Sequence, residues 1–252
     1  MGCPSPNPIG MKAMEKNIIE IKDFSIVSKG NKIIDSISTT FRDKELTLIY
    51  GPRGAGKSVF LRSLVFLNEE FLDDIFYSGE IFFESRKVSI KDAKFLRTKI
   101  AYSDTSFIEP IESFTVREMI NLATGKSSWD SGMGRKASSL LKKFDLLSKL
   151  EKGLDSPISA FNSKDRVLFL FFLAFIREPD VIIFDSIMDH LDNQTIDELC
   201  EFLVRIKGDY TMIISTRNLN SLVGIADRIL YLKDGKIVFD GEPEKFIMEW
   251  RS

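Results

Sequence analysis

The most constraining stretch of this chain is a short apolar run that ends in a glycine-rich loop. Leu46–Tyr50 (LTLIY) leads into Gly51-Pro52-Arg53-Gly54-Ala55-Gly56-Lys57-Ser58, which matches GxxxxGK[ST], and a helical pattern follows over Ser58–Leu67. A nearly continuous apolar run bounded by turn residues is the pattern of a strand buried on both faces of a parallel sheet. Val181–Phe184 (VIIF) and Met212–Ser215 (MIIS) repeat it, each after a helix-like segment, Val167–Arg177 and Thr195–Lys207. Strands and helices in alternation predict an α/β fold with right-handed crossovers.

The loop's residue types point to phosphate chemistry. Glycines let the backbone fold into a nest whose N–H groups face phosphate oxygens, and the helix that starts there adds its positive end. Lys57 is expected to reach the β- and γ-phosphates, and the Ser58 hydroxyl to coordinate Mg²⁺. The expected cradle is therefore Gly51, Pro52, Arg53, Gly54, Ala55, Gly56, Lys57, Ser58 and Val59. Asp185 closes the run VIIF, at the strand end where open α/β sheets bind ligands. Its expected role is as a partner of the Mg²⁺, in direct contact or through a bound water, the alternative being a helix cap.

Composition removes competing classes. Lys and Arg total 35 against 37 Asp and Glu, a formal charge of −2, so a nucleic-acid partner has no electrostatic support. Cys3 and Cys200 lie too far apart in sequence for a CxxC pair, and a single histidine cannot build a multi-imidazole zinc site. The longest apolar run, Val167–Ile176, is about half of what a membrane-spanning helix needs. Residues 1–14 carry no apolar leader core, and Pro6 stands where N-myristoylation wants Ser or Thr. They are expected to form a loose tail, with Met11 or Met14 as alternative starts.

Elsewhere, Ile18–Ile26 and Ile33–Phe41 alternate apolar and polar residues around a Lys29-Gly30-Asn31 turn and predict two strands. Val116–Leu150 has a helical pattern broken by a Gly/Ser-rich stretch at Gly125–Gly134. Ile229–Leu232, Asp234-Gly235 and Lys236–Phe239 predict a β-hairpin, followed by a last helix after Pro243.

Taken together, these motifs resemble the nucleotide-binding domains of ATP-binding cassette (ABC) proteins. The likeness spans Ile18 to Phe246 and rests on the phosphate loop, REPDVIIFD (Arg177–Asp185), the Leu191-Asp192 pair and ADRILYLKDGKIVFDGEP (Ala226–Pro243). The stretch Leu67–Val88, with Gly79-Glu80-Ile81, is similar to the ATPases of bacterial phosphate importers. The resemblance implies a P-loop, RecA-like α/β core with an antiparallel β part and a helical insert at about 105–165, within one domain over 15–252. It also implies ATP and Mg²⁺ as cofactors, and a head-to-tail homo- or heterodimer of such domains. Each ATP then lies between one domain's phosphate loop and the other's LSGGQ signature. A membrane permease is the implied partner, and the implied location is cytoplasmic, peripheral on the inner membrane face. Tyr102–Glu112 and the insert are the implied lining of the permease groove.

Departures from the family pattern fall on its catalytic positions. The glutamate that polarises water is replaced by Ser186, the switch histidine by Arg217 and the lid glutamine by Thr105. The signature falls on Phe161-Asn162-Ser163-Lys164-Asp165 without a gap, or on Ile158-Ser159-Ala160-Phe161-Asn162 by letters, and neither register keeps the paired glycines. The adenine-stacking position falls near Val27 or Ser28, neither aromatic, and the lone His190 lies in a loop implied to face the partner domain. Arg217 is open to an arginine-finger role or to a surface ion pair, and Asp104 to a substitute Mg²⁺ contact. The expected outcome is ATP binding with weak hydrolysis. Three functions remain in view: a transporter subunit of importer type, a nucleotide-gated regulator or scaffold, and a cytosolic non-transport ABC protein.

Overall fold

In the computed structural model, residues 16–125, 131–220 and 222–250 are described, so the expected tail lies outside them. The first half of the chain supplies β1 (Asn17–Ser28), β2 (Asn31–Arg42), β3 (Leu46–Tyr50), α1 (Lys57–Ser63), β4 (Ile75–Phe83), β5 (Arg86–Val88), α2 (Ala93–Lys99) and β6 (Ile100–Asp104). The second half supplies α3 (Val116–Thr124), α4 (Ser131–Lys143), α5 (Ser163–Ile176), β7 (Val181–Asp185), α6 (Asn193–Ile206), β8 (Thr211–Thr216), β9 (Arg228–Lys233), β10 (Lys236–Gly241) and α7 (Pro243–Trp250).

The apolar runs form the middle of a six-stranded sheet in the order β10-β9-β3-β8-β7-β6, in which only the β9–β10 hairpin is antiparallel. The alternating N-terminal segments form a second, antiparallel sheet in the order β2-β1-β4-β5. Period-2 side-chain alternation divides the buried strands between two cores. Leu48, Ile182, Phe184 and Ile214 point toward α5 and α6. Ile49, Ile183 and Ile213 point toward α1 and the antiparallel sheet. Both faces of the parallel sheet are thereby covered, which is why its strands tolerate uninterrupted apolar sequence. The parallel register brings Tyr50 beside Thr216, Asp185 beside Ser215 and Asp104 beside Asp185, all at one carboxyl edge.

Several elements differ from expectation for identifiable reasons. The helix after the phosphate loop ends at Ser63 rather than Leu67. The Asn68 amide donates to the Val59 carbonyl at 2.8 Å and to Ser63 Oγ at 3.2 Å, and Phe66 takes a left-handed φ of 47°, closing the helix early. The apolar helix begins at Ser163 rather than Val167 because the Asn162 side chain accepts from Asp165 N and caps it there. Gly134, read as part of a break, lies inside α4. Strands β4, β5 and β6 and helix α2 have no counterpart in the expectations. Strand β4 is disguised by Ser78-Gly79 in its middle, where a bulge in β1 between Lys22 and Ser25 interrupts the pairing. Gly79 has φ +85°, and a Cβ there would lie 2.3 Å from the Asp23 carbonyl oxygen.

Phenylalanine joins leucine and isoleucine in filling the helical-side core. Phe171 stacks on Phe184 with centroids 3.9 Å apart, and both are fully buried. Phe171→Ala is expected to cost about 3–5 kcal/mol, read as a lower urea midpoint with an unchanged denaturant slope.

Candidate functional site

The phosphate loop leaves β3 at Gly51 and enters α1 through Gly56, whose φ is +97°. A Cβ on Gly56 would meet the Ile34 side chain at 2.9 Å and the Ile33 carbonyl at 3.2 Å, so backbone and neighbours both demand glycine. The start of α1 has no side-chain cap and no acid in its first turn, which leaves its amides facing outward. The loop is braced from the β9–β10 turn, where Gly235 N donates to the Ala55 carbonyl at 3.1 Å.

Lys57 is 6% exposed and its ammonium donates to the Gly51 and Pro52 carbonyls at 2.7 and 3.0 Å. Burial pushes its pKa below the ordinary lysine value, while the charges of Asp185 and Asp189 pull the other way. A buried cation held by carbonyls at the start of an uncapped helix is arranged for an anion.

A cleft of about 570 Å³ opens over this loop. Its walls are Ile33, Arg53, Gly54, Ala55, Gly56, Lys57, Ser58, Val59, Thr105, Ser186, His190 and Arg217. The fold thus gathers Thr105, Ser186 and Arg217, distant in sequence, against the loop. Gly51 and Pro52 stand behind the wall and hold Lys57. Asp185 is also behind it, 2% exposed, with Ser215 Oγ donating to its Oδ1 at 2.5 Å and the Tyr102 hydroxyl 3.0 Å from its Oδ2.

Ser186 follows Asp185 in the left-handed region, φ 53°, pinned by its N–H to Ser215 Oγ at 2.9 Å and to the Ser215 carbonyl at 3.1 Å. A non-glycine residue in that region at a cleft is a local strain that the surrounding bonds hold in place. Arg217 makes the ion pair that was one of its two expected roles, Nε to Asp189 Oδ2 at 3.1 Å. Asp189 also accepts from Thr216 Oγ1 at 2.5 Å and from Arg217 N at 3.2 Å.

Beneath the cleft lies a charge cluster that motif reading misses. Arg62 of α1 donates to Asp104 Oδ2 at 2.8 Å and to the Tyr102 hydroxyl at 3.2 Å, and its guanidinium lies 3.8 Å from the centroid of the Phe71 ring. The other Asp104 oxygen accepts from Ser106 N at 2.8 Å and from Ser106 Oγ. Burial opposes ionisation of Asp104, but bonds from Ser106, Arg62 and Tyr102 outweigh it and hold the carboxyl below its ordinary pKa. Asp104 is 3% exposed and its charge is already met by Arg62, whereas the partners of Asp185 are neutral hydroxyls, so the cation role falls to Asp185 and not to Asp104. Sequence reading singles out Asp104 only as the neighbour of the lid position, and no motif points to its partners Arg62 and Tyr102.

At the signature segment, Phe161 is buried against Phe169 with centroids 5.8 Å apart, and Asn162 caps α5. Ile158 and Phe161 are both buried, so an apolar first position is met in either register. Asp165 is buried and paired with Lys149. Ser28 donates to the Asp73 carbonyl at 2.7 Å and does not line the cleft, where the apolar contact near the loop is Ile33. A second groove of about 760 Å³ runs between α2 and the α3–α4 region, lined by Lys91, Lys94, Arg97, Leu122 and Met133 among others, and residues 102–112 are not part of its lining.

For a divalent cation, the oxygens at hand are the Ser58 hydroxyl and the Asp185 carboxylate. No group of three or more His, Cys, Asp or Glu among the described residues is placed to hold a metal. Mg²⁺ needs no such cage, since it binds through one or two protein oxygens with waters and substrate phosphates. The donor set fits it.

Comparison with known proteins agrees with this geometry. The family model described as ABC transporter matches residues 34–188. A phosphate import ATP-binding protein, PstB 2, of Lactobacillus johnsonii is 28% identical over 92% of this chain and 93% of its own. The arginine transport ATP-binding protein ArtM of Bacillus subtilis is 28% identical over 93% and 95%. Among solved structures, cbiO1 from Clostridium perfringens, part of the ABC transporter complex cbiONQ, superposes with a TM-score of 0.77 at 20% identity, covering 93% of this chain and 92% of that one. The ADP conformation of MJ1267, an ATP-binding cassette of an ABC transporter, superposes with a TM-score of 0.75 at 19% identity, covering 93% and 96%.

The Asp189 cluster is testable without any ligand. Asp189 is buried while Arg217 is about half exposed, so solvent screens their charge interaction. Asp189→Asn should cost about 1–3 kcal/mol through its bonds to Thr216 and backbone N–H. Its coupling to Arg217→Met in a double-mutant melting cycle should stay below about 1 kcal/mol.

Proposed function

The chain belongs to the ABC transporter family, and on that premise we propose that it is the ATP-binding subunit of an importer-type ABC transporter, one that holds Mg·ATP and turns it over slowly. The observation that carries this reading is the buried Lys57 on loop carbonyls, in a cleft whose remaining walls are Ser186, Thr105 and Arg217. Binding and chemistry are separable there.

For binding, the loop from Gly51 to Val59 supplies backbone amides, and the Lys57 ammonium turns from its carbonyls to the β- and γ-phosphates. Ser58 and Asp185 are the residues that would hold a Mg²⁺, which when bound would supply positive charge against the phosphates. Ile33 gives the base an aliphatic contact in place of a stacking ring. For hydrolysis, a water must be oriented and deprotonated. The Ser186 hydroxyl is no base at neutral pH, and the guanidinium of Arg217 only donates. Losing such a group costs ~10²–10⁴ in rate. Arg217, with Nε on Asp189, keeps its terminal nitrogens for the γ-phosphate, the work of an arginine finger. Thr105 is too short to replace a lid glutamine.

Head-to-tail pairing does not restore a complete site on this reading. In a heterodimer this chain's loop lacks the glutamate, and the partner's loop meets a signature without glycines. In a homodimer both losses fall on each site. We take residues 15–252 as one nucleotide-binding domain, with the segment at about 105–165 as its helical insert. The membrane partner is a permease, seated on the groove that exposes Leu122 between Lys91, Lys94 and Arg97. No described helix is long and apolar enough to cross a membrane. The importer assignment follows relatives named for phosphate and arginine transport. Their equal identity leaves a phosphate cargo as the finer proposal, resting on the similarity of Leu67–Val88 to phosphate-importer ATPases.

Purified protein should bind ATP more tightly with Mg²⁺ than without it and turn it over at less than roughly 1 s⁻¹, near the low end of enzyme rates. Calorimetry and a phosphate-release assay check this, and faster turnover overturns the slow-hydrolysis reading. Lys57→Ala should weaken ATP at least ~100-fold, equivalent to about 2.7 kcal/mol. Persistent ATP binding with no permease in pull-downs from the native membrane would favour the nucleotide-gated regulator instead.

A further inference from the structure

Asp104 and Asp185 stand directly opposite each other at the ends of adjacent parallel strands, both almost fully buried. Two like charges in that arrangement repel unless something stands between them. The group between them is the Tyr102 hydroxyl, 2.8 Å from Asp104 Oδ2 and 3.0 Å from Asp185 Oδ2. It also accepts from Arg62 Nε at 3.2 Å. A phenol carries one proton, so the hydroxyl cannot donate fully to both carboxylates at once.

We propose that Tyr102 is a positioning residue for Asp185, holding its cation-facing carboxylate in place and joining it through Asp104 to the segment that begins at Thr105. The inference rests on the reading that Ser58 and Asp185 take the Mg²⁺ of a bound nucleotide. The Oδ1 side of Asp185 is set by Ser215, and the Tyr102 bond supplies the second point that fixes the plane of the carboxylate. Tyr102 is itself held from two directions, by Arg62 on α1 and by Asp104. Asp104 caps the turn Thr105–Phe107 through Ser106 N, so the position of that turn and the position of Asp185 share one hydroxyl. With Thr105 too short to bridge the cation and the lid segment, this hydrogen-bonded path is the direct connection between them.

Outer hydrogen bonds to a metal ligand are typically worth 10–100-fold in metal affinity. The test compares ATP affinity in excess Mg²⁺ and in EDTA for the wild-type chain, Tyr102→Phe, Asp185→Asn and the double variant, with fold checked by circular dichroism. The Mg²⁺-dependent tightening should fall by roughly 10–100-fold in Tyr102→Phe, while the EDTA affinity changes by less than about twofold. In the Asp185→Asn background, the same tyrosine change should alter the tightening by less than about twofold. Equal losses with and without Mg²⁺ would mean a merely structural role and overturn the proposal, as would an undiminished tightening. Should Tyr102→Phe fail to fold, 3-fluorotyrosine at position 102 keeps the hydroxyl. Its ¹⁹F resonance should shift on adding Mg²⁺ to the ATP complex, and a resonance indifferent to Mg²⁺ overturns the proposal. A wild-type chain that binds no ATP at all refutes the function proposed above. One that binds ATP without any help from Mg²⁺ spares ATP binding but removes the basis for Tyr102.

Discussion

Everything at the cleft depends on burying β3 on both faces between β8 and β9. A strand made of Leu46, Thr47, Leu48 and Ile49 is stable only if both sides of the sheet are covered, and the two cores on either side do that. Once β3 is central and parallel, its carboxyl end has to turn abruptly into α1. The turn residues, Gly51 to Gly56, then lie at the edge where β6, β7 and β8 also end. A phosphate loop, two aspartates and the Ser215–Arg217 segment meet there as a consequence of strand order.

That convergence creates an electrostatic problem, which the structure meets by pairing. Lys57, Arg62, Asp104 and Asp185 are all largely buried, with two charges of each sign. Only Arg62 and Asp104 form a direct ion pair, while Lys57 rests on carbonyls and Asp185 on hydroxyls. An unpaired buried charge costs several kcal/mol, so a site that leaves one ammonium and one carboxylate with neutral partners is set up for a ligand that engages both. A triphosphate with a divalent cation has that pair of charges. Asp189 and Arg217 form a second, outer pair at the cleft wall, where half-exposure of the arginine keeps its contribution small.

Much of this was legible from residue patterns because buried parallel strands and the phosphate loop carry strong local signatures. LTLIY and VIIF fall on strands β3 and β7, and the Asp234-Gly235 turn on the β9–β10 hairpin. What escaped reading was local structure decided by distant contacts. Strand β4 is interrupted by a glycine that is there only because β1 bulges against it, and α1 is cut short by a side chain five residues past its end, Asn68. The cluster of Arg62, Tyr102 and Asp104 was also out of reach. Arg62 lies 40 and 42 residues from Tyr102 and Asp104 along the chain, and no motif spacing links it to them.

Residue types alone therefore carried the motifs on which the proposed chemistry rests: a glycine nest with a lysine and a serine after a buried strand, an aspartate at the end of another, and a serine next to it. Those are properties of short segments, in which a few neighbouring residues set backbone freedom and functional groups. Only the folded chain decided what each group faces. It turned Arg217 onto Asp189, withdrew Asp104 from the solvent onto Arg62, buried Phe161 beside Phe169 and set one tyrosine proton between two carboxylates. Such choices come from strand register and packing between segments remote in sequence, where charge and volume must be balanced across the whole core.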